Sequence, residues 1–173
     1  MVYTSILKFR VAMKKVLLLI FGFCVVLIAV AYFMEYQMGL EPCPMCIIQR
    51  IAIALTGLAA LIGYFHNRWF KFYFSLTTVF SIAGAASAIR HLYLQSLPED
   101  QDVYKRQDLG YLLDNAYFSD ALRMLFIGDG NCAEVVWSLF GVSIPGWVLI
   151  WCIINICLSV SQLNPKTALP QSN

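Results

Sequence analysis

The stretch KKVLLLIFGFCVVLIAVAYF, residues 14–33, decides the fold, because two lysines open an apolar run, residues 16–33, that carries no charge. At 1.5 Å of rise per residue, a helix of this length reaches about 27 Å, close to the roughly 30 Å of a bilayer's hydrocarbon core. Three more such runs follow, at 47–65, 70–89 and about 147–163. Their backbone amides must find partners inside the segment, which helices provide; a closed barrel would need alternating strands of about ten residues, and the sequence has none. The fold class expected is therefore all-α, an integral membrane four-helix bundle.

Composition agrees: 60% of residues are hydrophobic, 13% are charged, and the mean hydropathy is +0.71, values outside the range of soluble domains. The 173 residues leave room for one domain, residues 1–165, with a polar tail at 166–173 that reads as disordered. No internal repeat or low-complexity tract is present, and no nucleic-acid partner is expected. The spans hold almost no charge away from their outer ends, which argues against a channel or transporter.

Orientation follows from Lys and Arg, which keep short loops cytoplasmic. Lys8, Arg10, Lys14 and Lys15 precede the first span, Arg68 and Lys71 flank the turn between the second and third, and Lys166 follows the fourth. Both termini are thus expected inside, with outer loops at 34–46 and 95–145. All ten acidic residues fall between Glu35 and Glu134, in or beside those loops. A cleavable signal peptide is a competing reading of the first span, since Ala29, Val30 and Ala31 form a small-residue pattern. Retention as an anchor fits better, because the apolar run continues to Phe33 and three spans follow. Met13, just before the lysine pair, offers an alternative start.

This topology divides the six cysteines. Cys24, Cys152 and Cys157 lie inside spans and read as small apolar filling. Cys43, Cys46 and Cys132 lie in or beside the outer loops, where an oxidising compartment lets disulfides persist. Cys43-Pro44-Met45-Cys46 is a C-x-x-C, a spacing shared by redox pairs, zinc sites and c-type haem attachment. Ile47 stands where haem attachment needs His; zinc would need further ligands, and Cys132 and His91 offer them without regular spacing. Redox chemistry leads, and no resident metal is expected.

Cys46 stands at the N-terminal end of the second span, where the helix dipole favours a thiolate. Arg50 lies at i+4 from Cys46 on the same helical face, and an arginine there is costly unless it snorkels or is paired. Its fixed charge suits both the thiolate and a reducible ligand beside it, although reaching for headgroups is an alternative role. His91 and Arg90 close the third span at a depth similar to Arg50. His91 is a candidate proton or hydrogen-bond donor to a bound oxidant, or a plain interfacial histidine; Arg90 reads as a headgroup anchor. Small residues from Ser81 to Ala88 read as a close helix-packing face. Leu122, Leu125 and Phe126 recur at helical spacing after Ser119, which predicts a short surface helix at 119–127 that carries Cys132 toward the C-x-x-C.

Together, Glu-Pro-Cys-Pro-Met-Cys-Ile-Ile-Gln-Arg at 41–50, the His91 segment, Gly-Asp-Gly-Asn-Cys-Ala-Glu-Val at 128–135, and Ser143, Ile144, Pro145 and Trp147 resemble the bacterial disulfide bond formation protein B (DsbB) family. The likeness runs from Lys14 to about Leu163. It implies a quinone-dependent thiol oxidase of the inner membrane, active on the periplasmic side. In such a relay a quinone, either ubiquinone or menaquinone, takes electrons from Cys43 and Cys46, and a second cysteine pair in the long loop oxidises a periplasmic thioredoxin-like (DsbA-like) partner. By position the resemblance makes Cys46 the quinone-side cysteine, Cys43 the one that exchanges with the loop, Cys132 the second loop cysteine, Arg50 the quinone-side arginine and His91 its neighbour.

The chain departs from that pattern at one place. No cysteine lies between Cys46 and Cys132, and Lys105 stands nearest the position where the family has one. Lys105 and Arg106 also put adjacent cations into an otherwise acidic loop, so residues 103–107 read as a corrupted or substituted stretch. Besides the oxidase reading, two alternatives stand: an impaired relative that binds quinone or partner without turnover, and a membrane protein with a structural disulfide or metal site.

Overall fold

The computed structural model describes residues 2–40, 42–96, 135 and 137–163, with side chains from Phe9 onward. The surface helix expected at 119–127, Cys132, Lys105 and the tail lie outside the described residues. Four helices long and apolar enough to cross a membrane account for most of the rest: α1 (Val2–Met38), α2 (Pro44–His66), α3 (Phe70–Gln95) and α4 (Ile144–Leu163). The four-helix membrane bundle read from the sequence is thus what the chain forms.

The helices run past the apolar stretches. α1 continues five residues beyond Phe33, α2 starts three before Ile47, and α3 extends six beyond Ile89. Hydropathy marks where lipid ends, whereas a helix ends where its hydrogen bonds and caps do. Pro44 occupies the first turn of α2, where a missing N–H costs nothing, and Cys43 is the N-cap. At the other end Asn67 adopts the left-handed conformation and gives its N–H to the Gly63 carbonyl. Before α4, β1 (Ser138–Leu139) and β2 (Val142–Ser143) pair antiparallel, Ser138 with Ser143 and Leu139 with Val142. Their two-residue turn, Phe140 and Gly141, has both residues at positive φ, 53° and 78°, the geometry that twists with the strands. This hairpin lies within the segment the sequence presented as plain outer loop.

The bundle is ordered α1, α2, α3, α4 by packing: α3 sits against both α2 and α4, α1 sits against α2, and α1 barely meets α4. Met13, Leu17, Ile20 and Cys24, at helical spacing on α1, join Phe74, Ala85 and Ala88 of α3 and Trp151 and Cys152 of α4 in the core. Cys24 and Cys152 fill space as expected, but Cys157 faces outward. Small residues let backbones approach: a Cβ on Gly84 would meet Cys152 Sγ at 3.2 Å and Ala52 Cβ at 3.3 Å. The packing face expected between Ser81 and Ala88 is therefore present, with Ser81, Gly84, Ala85 and Ala88 buried. Water is absent at this depth, so polar side chains pair across helices. Asn155 Nδ2 donates to Ser81 Oγ at 2.5 Å, and Thr77 and Ser159 hydroxyls meet at 3.1 Å, joining α3 to α4.

Candidate active site

The C-x-x-C straddles the start of α2. Cys43 is extended (φ −69°, ψ 162°) at the N-cap, and its Sγ accepts the Cys46 N–H at 3.4 Å. The first-turn N–H thus points at the Cys43 sulfur. Cys46 itself stands in the first turn of α2, at the N-terminal end of the second span. The two Sγ atoms are 3.0 Å apart, both thiols, with Cys43 8% exposed and Cys46 half-buried.

His91 reaches this pair because α3 does not stop at Ile89. Its ring is 3% exposed, with Nε2 3.7 Å from Cys43 Sγ and Nδ1 3.2 Å from the Gln49 side-chain amide nitrogen. When that amide donates to Nδ1, the ring proton sits on Nε2 and faces the sulfur. Gln49, itself 2% exposed, is a residue the sequence reading passed over. Its signal was present, since position 49 is one turn past Cys46 and faces the same interior. Arg90 is exposed, as an interfacial anchor requires.

Arg50 is paired. One guanidinium nitrogen donates to the Glu35 carboxylate, another donates to the Ala31 carbonyl at 3.2 Å, and the group lies 5.3 Å from the centre of the Tyr32 ring. All three partners lie on the last turns of α1, so the arginine ties α2 to α1 at the end of the bundle that holds the C-x-x-C. Glu35 was missed because it lay beyond the apolar run, in what read as loop.

These groups share one cavity of about 310 Å³. Cys43, Cys46, Gln49, Arg50 and His91 line it, with Gln95, whose side-chain oxygen accepts from Ser143 Oγ at 2.8 Å. The rest of the lining is largely apolar, with Leu27, Ile28 and Met34 of α1, Ile144, Trp147 and Val148 of α4, and Trp137 and Leu139 of the hairpin segment. The cavity therefore occupies the seam that α1 and α4 leave open. Of the expected site residues, Cys43, Cys46, Arg50 and His91 come together, and Cys132 lies outside the described residues.

Four spans around a buried C-x-x-C with a histidine in contact define a multi-pass membrane protein of thiol–disulfide chemistry. Comparison with known proteins makes the class specific. The family model described as Disulfide bond formation protein DsbB matches residues 13–162. The proteins named Disulfide bond formation protein B from Saccharophagus degradans and Nitrosococcus oceani are similar to this chain. The first is 45% identical over 152 residues, 86% of this chain and 92% of that protein. The second is 38% identical over 157 residues, 89% and 93% of the two. Disulfide bond formation protein B 1 of Pseudomonas aeruginosa is 34% identical over 152 residues, 86% and 93% of the two. The chain belongs to the DsbB family, and with it to the disulfide-forming membrane oxidoreductases.

Proposed function

We propose that this protein is a quinone-linked disulfide oxidase of the bacterial inner membrane, which re-oxidises a periplasmic thioredoxin-like (DsbA-like) dithiol protein and passes the electrons to ubiquinone or menaquinone. One observation carries the reading: the redox pair and a fixed cation, Arg50, line the same apolar cavity, at the seam between two lipid-facing helices. Small-molecule sites are typically of about 300–1,000 Å³, apolar with a few placed polar groups, and this cavity fits that description. A bound quinone supplies an acceptor for two electrons and two protons.

The residues around it divide the remaining work. Cys43 and Cys46 give up two electrons and two protons when they close to a disulfide, and the partner's dithiol replaces both. His91, whose Nε2 lies 3.7 Å from Cys43 Sγ, donates a hydrogen bond to that sulfur as negative charge develops on it. Arg50 keeps positive charge in the wall where a reduced oxygen becomes negative; Glu35, Ala31 and Tyr32 hold it without a rotamer search. Apolar walls from α1 and α4 exclude water. At the opposite end of the bundle, Arg10 donates to the Asn67 carbonyl and Lys14 lies over Tyr64, which supports a cytoplasmic α2–α3 turn and an outward-facing C-x-x-C.

The sequence between Cys46 and Cys132 favours a second reading, an impaired relative that binds quinone or partner without turnover, because it has no cysteine to receive the partner's electrons. Quinone reduction by purified protein, with a reduced periplasmic dithiol protein as donor, separates the two when the chain is compared with Lys105→Cys. The oxidase reading expects the restored cysteine to raise turnover by orders of magnitude. No turnover in either version contradicts it.

A further inference from the structure

We infer that the reduced Cys43–Cys46 pair and His91 together form a binding site for a thiophilic divalent cation of the zinc class, one that captures the dithiol form of the protein. The two cysteine sulfurs and a ring nitrogen of His91 all lie within 4.8 Å of one another, and Nε2 is the nitrogen that faces Cys43. Zinc binds thiolate at about 2.3 Å and imidazole at about 2.0–2.1 Å, so tetrahedral geometry sets the sulfurs about 3.8 Å apart and sulfur about 3.6 Å from nitrogen. The Cys43–His91 separation, 3.7 Å, already has that value. The sulfurs, at 3.0 Å, need to part by under an ångström, a motion within reach of two χ1 rotations.

A second, independent feature points the same way. Metal-ligating histidines nearly always engage the other ring nitrogen with a buried partner, which fixes the ring and raises its basicity. Gln49 stands at His91 Nδ1 with its amide nitrogen 3.2 Å away, and when the amide turns over, its oxygen accepts from a protonated Nδ1 and Nε2 is the nitrogen left to ligate. The fourth position faces the cavity that all three ligands line, an open site of the three-ligand kind. Charge also closes: two thiolates neutralise the divalent ion, and the nearby Arg50 is already matched by Glu35.

Binding displaces two thiol protons and moves no electrons. A disulfide offers no thiolate, so the site exists only in the reduced protein and disappears on oxidation. The sequence offers His91 as a zinc ligand only without regular spacing; the extra turns of α3 bring it to the pair. The cation site stands on geometry alone, whereas its effect, an arrested electron relay, rests on the proposed oxidase activity.

Cobalt(II) is the probe. Full-length protein in detergent, reduced with a phosphine that does not bind metal, is titrated with cobalt while its absorption is recorded, and zinc is then used to displace it. The expected result is one cobalt per chain, with thiolate-to-metal charge-transfer bands and tetrahedral ligand-field bands that vanish when the pair is oxidised. His91→Ala should weaken binding by at least tenfold. Gln49→Glu, which gives the histidine a carboxylate partner, should tighten it by about 10–100-fold. A spectrum without thiolate bands, or binding that persists in Cys43→Ser, overturns the inference, as does unchanged affinity in both the His91 and Gln49 variants. The titration uses neither quinone nor partner, so its failure leaves the oxidase proposal standing, and failure of that proposal leaves the cation site intact.

Discussion

Replacing Glu35 by Gln removes the carboxylate that holds Arg50 while keeping size and hydrogen-bonding capacity. The two side chains are 21% and 23% exposed, Arg50 first, which places the pair between two known regimes. Exposed pairs are worth about 0–1 kcal/mol, and breaking a fully buried pair costs about 3–5 kcal/mol. Arg50 keeps the Ala31 carbonyl and the Tyr32 face, which together offset part of the loss. The coupling between Glu35 and Arg50 should therefore be about 1–2 kcal/mol, a factor of roughly 5–30 in an equilibrium constant. A double-mutant cycle with Glu35→Gln and Arg50→Gln, read by unfolding in detergent with rising sodium dodecyl sulfate, measures it. Effects that add to within about 0.5 kcal/mol would refute the reasoning, because Arg50 would then hold its place without Glu35.

Two further substitutions probe the bundle. Asn155→Ala strips Ser81 of its partner in a water-free core and should cost about 0.6–2 kcal/mol, lowering the thermal transition in scanning fluorimetry. Gly63→Ala would put a Cβ 2.9 Å from the Cβ and Cγ of Tyr73 and should cost about 1–3 kcal/mol in the same assay, whereas Gly22→Ala, with nothing within 4 Å, should leave the transition in place or raise it.

The spans were legible because long uncharged runs have one structural outcome in lipid, and the residue types from Ser81 to Ala88 announced which face packs closely. What stayed hidden lies at the helix ends. Hydropathy stops at Phe33 and Ile89, but backbone hydrogen bonding carries α1 on to Met38 and α3 on to Gln95. Those extra turns place Glu35 against Arg50 and His91 against Cys43 and Gln49. Arg50's need for a partner could be read from its cost in the membrane; which partner answered it could not. The hairpin before α4 was equally silent, since Phe140, 90% exposed, is an unusual residue for the first left-handed position of its turn. Gln49 looked like one more polar residue near a helix start, and only the register of α2 against α3 makes it the histidine's neighbour.

The most direct test of the proposed electron transfer bypasses the missing loop cysteine altogether. Protein with Cys43 and Cys46 reduced, freed of reductant, is mixed with one equivalent of a short-chain quinone, and quinone absorbance is followed together with the thiol count. The account predicts that the chain as it stands reduces one quinone per molecule, losing two thiols, and that Cys46→Ser abolishes this. Quinone that stays oxidised while both thiols persist, or a reduction that survives Cys46→Ser, would contradict it.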